Sequence, residues 1–275
     1  HEIRAVLASA ITCFALACVT GVLIPVLMRT RIQLRFPSLS LYTQLGSTVL
    51  SVWFAFAAAI SLVMYMLPVL SNTLSYTGAW AYVLATLLTA AAVGFWTMAT
   101  APVTKDVREV ITTLNTHLVS QEQRQGFTLG TVQHTYPAAL STPPTGGQPG
   151  TIMVTTGLRD ALTPGQFQAV LAHEYAHVTQ RHGKILSILT TLEHMLRVFG
   201  SLKRSAALLL ELAADDIAAK QAGPAELANA LAVMAKATGD ETMFLRAERL
   251  TTKKWPREHW RTIPEPIRVD KLRNQ

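Results

Sequence analysis

Charged residues and cysteines are both scarce in this sequence. Only 15% of its 275 residues are charged, whereas 50% are hydrophobic and these are concentrated in the first hundred positions. The only cysteines, Cys13 and Cys18, lie five positions apart in one apolar run, where a helix would point them in different directions. No disulfide framework is indicated. The uneven hydrophobicity predicts a membrane-embedded N-terminal part followed by a soluble part.

The formal net charge of +7 raises the question of a nucleic-acid partner. The basic residues, however, lie in a loop between apolar runs and in the C-terminal tail. We interpret them as topology signals and as a solvated or lipid-facing surface, and we expect no nucleic-acid partner. The residues of the tail are Lys253, Lys254, Arg257, Arg261, Arg268, Lys271 and Arg273.

Three uncharged runs, at about 5–28, 47–70 and 78–101, are each longer than the roughly 20 residues that a transmembrane helix requires. They predict a membrane domain of three spans over residues 1–101. The first run continues for ten residues beyond Cys18, which is too long for the central region of a cleaved signal peptide. Because the chain begins at His1 rather than at Met, we expect further residues before it.

The loop at 29–46 contains Arg29, Arg31 and Arg35 and no acidic residue. Positively charged loops remain on the cytoplasmic side of a membrane, so we expect the domain after the third span to be cytoplasmic. Positive charge in residues before His1 would reverse this prediction and place the domain outside.

Residues 102–275 read as a soluble domain of short strands and several helices. Strands are predicted at 126–134 and 151–156 from their alternation and β-branched residues. The strand at 151–156 either pairs with an extended substrate backbone or lies inside a sheet, and the sequence does not decide between these alternatives. Thr163, Pro164 and Gln166 then form a strong helix start.

That helix contains the segment His173-Glu174-Tyr175-Ala176-His177. Residues four apart lie on the same helix face, so His173 and His177 can both bind one metal ion. Zinc lowers the pKa of a bound water to about 7, and Glu174 is placed to act as its general base. The pattern predicts a zinc-dependent hydrolase.

A catalytic zinc site usually has three protein ligands, and Glu211 on a downstream helix is the best candidate for the third. Asp215, one turn further on, could accept a hydrogen bond from a ligand imidazole. The metzincin pattern would require a third histidine at position 183, which is Gly183. His182 would be nearly half a turn out of phase on a continuous helix, so we expect it off the ligand face.

The segments TTGLRDALTPGQFQAVLAHEYAHVTQRHG and LELAADDIAA resemble the membrane metallopeptidases of the BlaR/MecR antirepressor type, and more distantly those of the HtpX type. The resemblance covers about residues 126–250. It implies a mostly helical α+β fold with a minigluzincin-like domain, zinc held by His173, His177 and Glu211, and Glu174 as base. It also implies a bacterial plasma membrane as the location.

BlaR/MecR receptors continue through another span into an external penicillin-binding sensor, which does not follow within these 275 residues. We therefore expect a relative without that sensor, which cleaves a cytoplasmic protein such as a transcriptional repressor when a sensor or regulatory partner signals. Membrane-protein quality control of the HtpX kind is an alternative enzymatic function. A third alternative is a non-catalytic membrane scaffold, against which the intact Glu174 argues.

Overall fold

The computed structural model of the chain describes residues 2–28, 31–70, 118–124, 126–144 and 149–255. The chain divides into two compact units, His1–Ala101 and Pro102–Gln275. The predicted third span at 78–101 lies outside the described residues, as does most of the C-terminal tail.

The first unit is helical throughout its described part. Helix α1 (Glu2–Cys18) continues through one π-helical turn (Val19–Leu23) into α2 (Ile24–Met28), and α3 (Arg31–Arg35) leads into α4 (Pro37–Leu70). Two stretches, Arg4–Leu27 and Pro37–Tyr65, are long and apolar enough to cross a membrane. Two of the three predicted spans therefore have a helix of sufficient length.

The second of these helices begins about ten residues earlier than the predicted span. Residues 37–46 were predicted to belong to the loop at 29–46, between the first two apolar runs. In the structure Pro37 is the first residue of α4, a position that proline tolerates because its missing N–H has no intrahelical partner. Two polar residues of this first part, Ser40 and Gln44, are buried, whereas Ser38 is exposed.

Helices α1 and α4 pack against each other through small and polar residues. The Ser51 hydroxyl donates a hydrogen bond to the Ala17 carbonyl oxygen at 2.9 Å, and Gly21 leaves space that Ser51 occupies. Buried polar residues of this pair are Thr20, Ser40, Gln44, Ser47 and Ser61. Close packing by small residues and interhelical hydrogen bonds is typical of helices in lipid, which offers no hydrophobic driving force between them.

The second unit contains a four-stranded mixed sheet with the order β1-β2-β4-β3. The strands are β1 (Leu118–Arg124), β2 (Phe127–Val132), β3 (Ala139–Thr142) and β4 (Gly150–Thr155). β2 is parallel to β4, whereas β1 and β3 are antiparallel to their neighbours. The predicted strands correspond to β2 and β4, whereas the two edge strands, β1 and β3, were not predicted.

Six helices follow the sheet, with a short 3₁₀ turn (Arg197–Phe199) between the third and fourth. They are α5 (Thr156–Ala161), α6 (Pro164–Thr179), α7 (His182–Met195), α8 (Gly200–Ala222), α9 (Pro224–Thr238) and α10 (Glu241–Thr252). The capping box predicted for α6 is confirmed, because the Thr163 side chain and Gln166 bond reciprocally to each other's backbone N–H. This cap fixes where the helix with the HEYAH segment begins.

Helix α6 is held between two apolar clusters. On one side Phe167 and Leu171 pack with Phe127 and Ile152 of the sheet. On the other side an alanine-rich cluster joins α6 to α8, α9 and α10. Small side chains allow helix axes to approach closely, so α8 can bring an acidic side chain up to the face of α6. The members of this second cluster are Ala169, Ala172, Ala218, Ala219, Leu227, Ala228, Leu231, Ala247 and Leu250.

Candidate metal centre

His173 and His177 point their Nε2 atoms at the same position, one turn apart on α6. The two Nε2 atoms are 3.1 Å apart, and the ring centroids are 4.8 Å apart. The His173 side chain is 9% exposed and that of His177 is 15% exposed. The helix therefore converges two imidazole nitrogens, as the HEYAH spacing predicts.

Glu211 on α8 brings its carboxylate to the same position. One carboxylate oxygen is 3.3 Å from His173 Nε2, and the other is 3.5 Å from His177 Nε2. One ligand atom of each of the three residues lies within 4.8 Å of the others. Atoms about 2.0–2.2 Å from one tetrahedral zinc ion lie about 3.3–3.6 Å apart. The donor set and its spacing therefore fit zinc.

The formal charges around this position also fit a divalent cation. Glu174, Glu211 and Asp215 contribute three carboxylates, and the guanidinium of Arg246 contacts Glu211 and Asp215. When His173 is neutral, as metal binding requires, Arg246 is the one cation in contact with these carboxylates among the described residues. A buried excess of negative charge raises the free energy of the folded state unless positive charge lies next to it. One divalent ion would balance the cluster.

Asp215 and Arg246 form an ion pair next to the candidate ligands. Asp215 is fully buried, and its carboxylate accepts two hydrogen bonds from Arg246, at 2.8 Å from Nε and 2.7 Å from Nη2. Arg246 Nη1 also lies 3.0 Å from a Glu211 oxygen. This bidentate pair joins α8 to α10 and fixes the orientation of the Glu211 carboxylate.

Asp215 is also close to the first ligand imidazole. Its Oδ1 lies 3.0 Å from His173 Nδ1, although the ring departs from the alignment that a hydrogen bond requires. A rotation of the imidazole would complete the bond and would fix the proton on Nδ1, leaving Nε2 free for a metal. Asp215 is therefore placed for the supporting role that the sequence predicted.

The electrostatics of the site reflect this crowding of carboxylates and imidazoles. Burial lowers the pKa of His173, but the carboxylates of Asp215 and Glu211 outweigh it and raise that pKa to about 10. Burial and the neighbouring His173 lower the pKa of His177 to about 4. Burial raises the pKa of Glu211, but His173 and Arg246 reverse this effect and lower it to about 2. A metal that binds here must therefore displace a proton from His173.

Glu174 lies beside the three candidate ligands without belonging to them. Burial raises its pKa, against the opposing effects of His173 and of a hydrogen bond from Ser141 on β3. A general base is most effective when its pKa lies near the working pH, so this shift suits proton transfer. Tyr175, the next residue, turns away and packs against Phe127 with ring centroids 5.4 Å apart.

His182 lies outside the group of candidate ligands, as expected, but it contacts one of them, which the sequence did not predict. It is buried, and its Nδ1 is 3.1 Å from Nδ1 of His177. The expectation assumed a helix continuous to about residue 183, but α6 ends at Thr179 and α7 begins at His182. Arg181 between them adopts a left-handed conformation, with φ 54° and ψ 37°, which redirects the chain.

The possibility that the strand at 151–156 binds an extended substrate is also wrong. β4 pairs with β2 along its whole length and with β3 over residues 151–154. Its backbone is therefore already bonded on both sides, and the alternative of an internal strand holds. Within the described residues, β3 is the sheet edge that packs against α6.

A helix with two histidines four residues apart, an adjacent glutamate and a third acidic ligand from a second helix defines the class of zinc-dependent metallohydrolases. The model of Peptidase family M48 matches residues 101–243, which is more than half of the chain. The chain belongs to this family. Membership implies metallopeptidase activity, and M48 peptidases are typically zinc-dependent.

No curated protein and no solved structure gives a significant match to the chain. The family match supports the metallopeptidase resemblance in its broad form and does not distinguish a BlaR/MecR-like from an HtpX-like member.

Two residues of the site were missed at the sequence level, Arg246 and His182. Arg246 lies 35 residues after Glu211 on a helix whose position depends on the alanine-rich packing, and no short motif marks it. His182 could have been found through its spacing of five from His177, but only if the helix break at Gln180 and Arg181 had been foreseen.

Proposed function

We propose that this chain is a membrane-anchored zinc endopeptidase that cleaves a cytoplasmic protein, such as a transcriptional repressor, under the control of a sensor or regulatory partner. The observation that supports this most directly is the convergence of His173, His177 and Glu211 next to Glu174. The M48 match supports the peptidase class independently.

The residues of the site have different roles in peptide hydrolysis. His173, His177 and Glu211 would hold the zinc ion, which, when bound, polarises the scissile carbonyl and acidifies a water molecule. Glu174 takes the proton of the attacking water and later delivers it to the nitrogen of the leaving amine. Arg246, which already contacts Glu211 and Asp215, keeps the acidic ligand in place during this exchange.

The neighbourhood of β3 favours a polypeptide substrate. β3 packs against α6, and Ser141 on β3 bonds to Glu174. In the described part of the chain its other edge has no strand partner. An extended segment added to such an edge gains backbone hydrogen bonds and lies beside the catalytic residues.

The apolar helices and the arginines between them support a membrane location with the catalytic unit in the cytoplasm. Arg4–Leu27 and Pro37–Tyr65 are the two candidate spans, and Arg31 and Arg35 follow the first of them. Positive residues at this position favour the cytoplasmic side for the loop between these two spans. The third span predicted at 78–101, which lies outside the described residues, would return the chain to the cytoplasm before the catalytic unit. A cytoplasmic regulatory protein is then within reach of the site.

Two alternatives make different predictions about cleavage. A quality-control peptidase of the HtpX kind would cut many unfolded membrane proteins at many positions. A scaffold would retain metal and cut nothing, but the preserved Glu174 and its contact with Ser141 favour catalysis.

The test is a comparison of protein N-termini in membrane vesicles that contain the parent chain or its Glu174→Gln variant, with soluble cytoplasmic proteins added. A few new N-termini in folded soluble proteins, dependent on Glu174, are the expected result. Widespread cleavage of unfolded membrane proteins would favour quality control, and a zinc-loaded parent with no new N-termini would favour the scaffold.

A further inference from the structure

The chain reverses direction immediately after the second candidate ligand. Helix α6 ends at Thr179, and Arg181 then adopts a left-handed backbone conformation. Arg181 is the one residue other than glycine with positive φ among the described residues. A side chain with a Cβ in this conformation costs about 1–2 kcal/mol, and such strained positions are concentrated at functional sites. The turn places His182 at the start of α7, against the end of α6.

The Nδ1 atom of His182 contacts the Nδ1 atom of His177. The two Nδ1 atoms are 3.1 Å apart, and the rings are nearly perpendicular, with an interplanar angle of 88°. His182 is only 4% exposed. A neutral imidazole has one N–H donor and one acceptor nitrogen. One of the two Nδ1 atoms must therefore carry the proton and the other must accept it.

The metal position decides which atom carries the proton. His177 directs Nε2 towards Glu211 and His173, so Nε2 must be free to bind a metal and Nδ1 must hold the proton. The acceptor is then Nδ1 of His182, whose own proton lies on Nε2. The group of candidate metal ligands in the described residues does not include His182. Its role is therefore to support a ligand.

We propose that His182 is a positioning residue that fixes the tautomer and orientation of His177 for metal binding. His173 has Asp215 at its Nδ1, at 3.0 Å, and His182 provides the equivalent partner for the other imidazole. Partners of this kind typically change metal affinity 10- to 100-fold. The inference rests on the proposed zinc site and extends it by one residue that binds no metal.

The test measures the affinity of the metal-depleted full chain for Zn²⁺ in detergent, by competition with a chromophoric chelator. Glu174→Gln serves as the background so that self-cleavage cannot interfere. In His182→Asn the side-chain oxygen can occupy the place of Nδ1. In His182→Gln the side-chain oxygen reaches the place of Nε2 instead. His182→Leu has no side-chain acceptor. His194→Leu, at an exposed position on the same helix, is the matched control.

We expect the Leu and Gln variants to bind Zn²⁺ about 10- to 100-fold more weakly than the parent, and the Asn variant to remain close to it. If the Leu variant fails to fold, the difference between Asn and Gln decides the matter. Equal affinity in all variants, or an Asn variant as weak as Gln, would overturn the role of His182 alone. A parent that binds no Zn²⁺ would instead overturn the proposed zinc site, and this inference with it.

Discussion

The two units of the chain bury opposite kinds of residue. In the helix pair of the first unit, Thr20, Gln44 and Ser47 are buried while Phe14, Val49 and Trp53 are exposed. In the second unit, Phe127, Ile152 and Leu171 form the core. The difference is consistent with membrane anchoring of the first unit, because lipid does not drive apolar side chains inward, whereas water does so in the second unit.

The metal centre is an exception to the apolar core of the second unit. His173, His182 and Asp215 are buried there among carboxylates and a guanidinium. The buried polar residues described in the first unit are neutral, and two of them, Thr20 and Ser47, donate hydrogen bonds to backbone carbonyl oxygens of their own helices. Buried charge is therefore the feature that separates a catalytic interior from a packing interior in this chain.

The largest effect is expected from removing a candidate ligand. His177→Ala or Glu211→Ala should abolish stoichiometric zinc binding and lower peptidase activity by about 10³-fold or more, because several kcal/mol of transition-state stabilisation depend on the ion. Zinc content by elemental analysis and cleavage rate test this. His194→Ala, at an exposed position on α7, should change neither. Zinc retained at parental levels in both ligand variants would contradict the assignment.

The next largest effect concerns the buried ion pair. Arg246→Ala leaves the fully buried Asp215 carboxylate without its guanidinium, and breaking such a pair costs about 3–5 kcal/mol. Arg246→Lys should recover only part of this, because an ammonium cannot form the bidentate pair. Thermal unfolding in detergent measures the loss, and Arg204→Ala, at an exposed position on α8, is the control. Equal melting temperatures for parent and Arg246→Ala would contradict the proposed support.

A smaller effect is expected from crowding the helix pair of the first unit. A side chain at Gly21 would collide with Ser51, whereas one at Gly46 would meet nothing within 4 Å. Gly21→Leu should therefore destabilise the pair by about 1–3 kcal/mol, and Gly46→Leu should be close to neutral. The temperature at which the solubilised chain loses monodispersity tests both. The same shift in both variants would mean that α1 and α4 do not pack in this way.

The smallest effect is expected at the start of α10, the helix that carries Arg246. Hydrogen bonds from the Thr242 hydroxyl and backbone N–H lower the pKa of Asp240. Because the folded-state pKa is below the unfolded value of about 3.9, the charge stabilises the fold above that value. This stabilisation is lost as the pH falls through the folded-state pKa.

Asp240→Asn retains the cap without its charge, so it should be about 0.3–1 kcal/mol less stable than the parent at pH 7. Unfolding curves of the two chains should converge as the pH falls below the folded-state pKa of Asp240. A stability difference that is independent of pH would show that the charge at this position contributes nothing.

Sequence reasoning was most successful where local chemistry decides the structure. The start of α6 follows from Thr163, Pro164 and Gln166, and the convergence of His173 and His177 follows from helix periodicity alone. It failed where tertiary packing or a single backbone angle decides. The helix was expected to continue past Gln180, and the left-handed conformation of Arg181 brings His182 back onto the site. Arg246 reaches the centre only because of the packing among α8, α9 and α10.

The most direct test of the central claim compares zinc content and peptide-bond cleavage in the parent and in Glu174→Gln, purified in lipid. The account predicts equal zinc in both and a cleavage rate about 10²- to 10⁴-fold lower in the variant, since Glu174 moves the proton and does not bind the ion. Unchanged cleavage in Glu174→Gln, or a parent that binds no zinc, would contradict it.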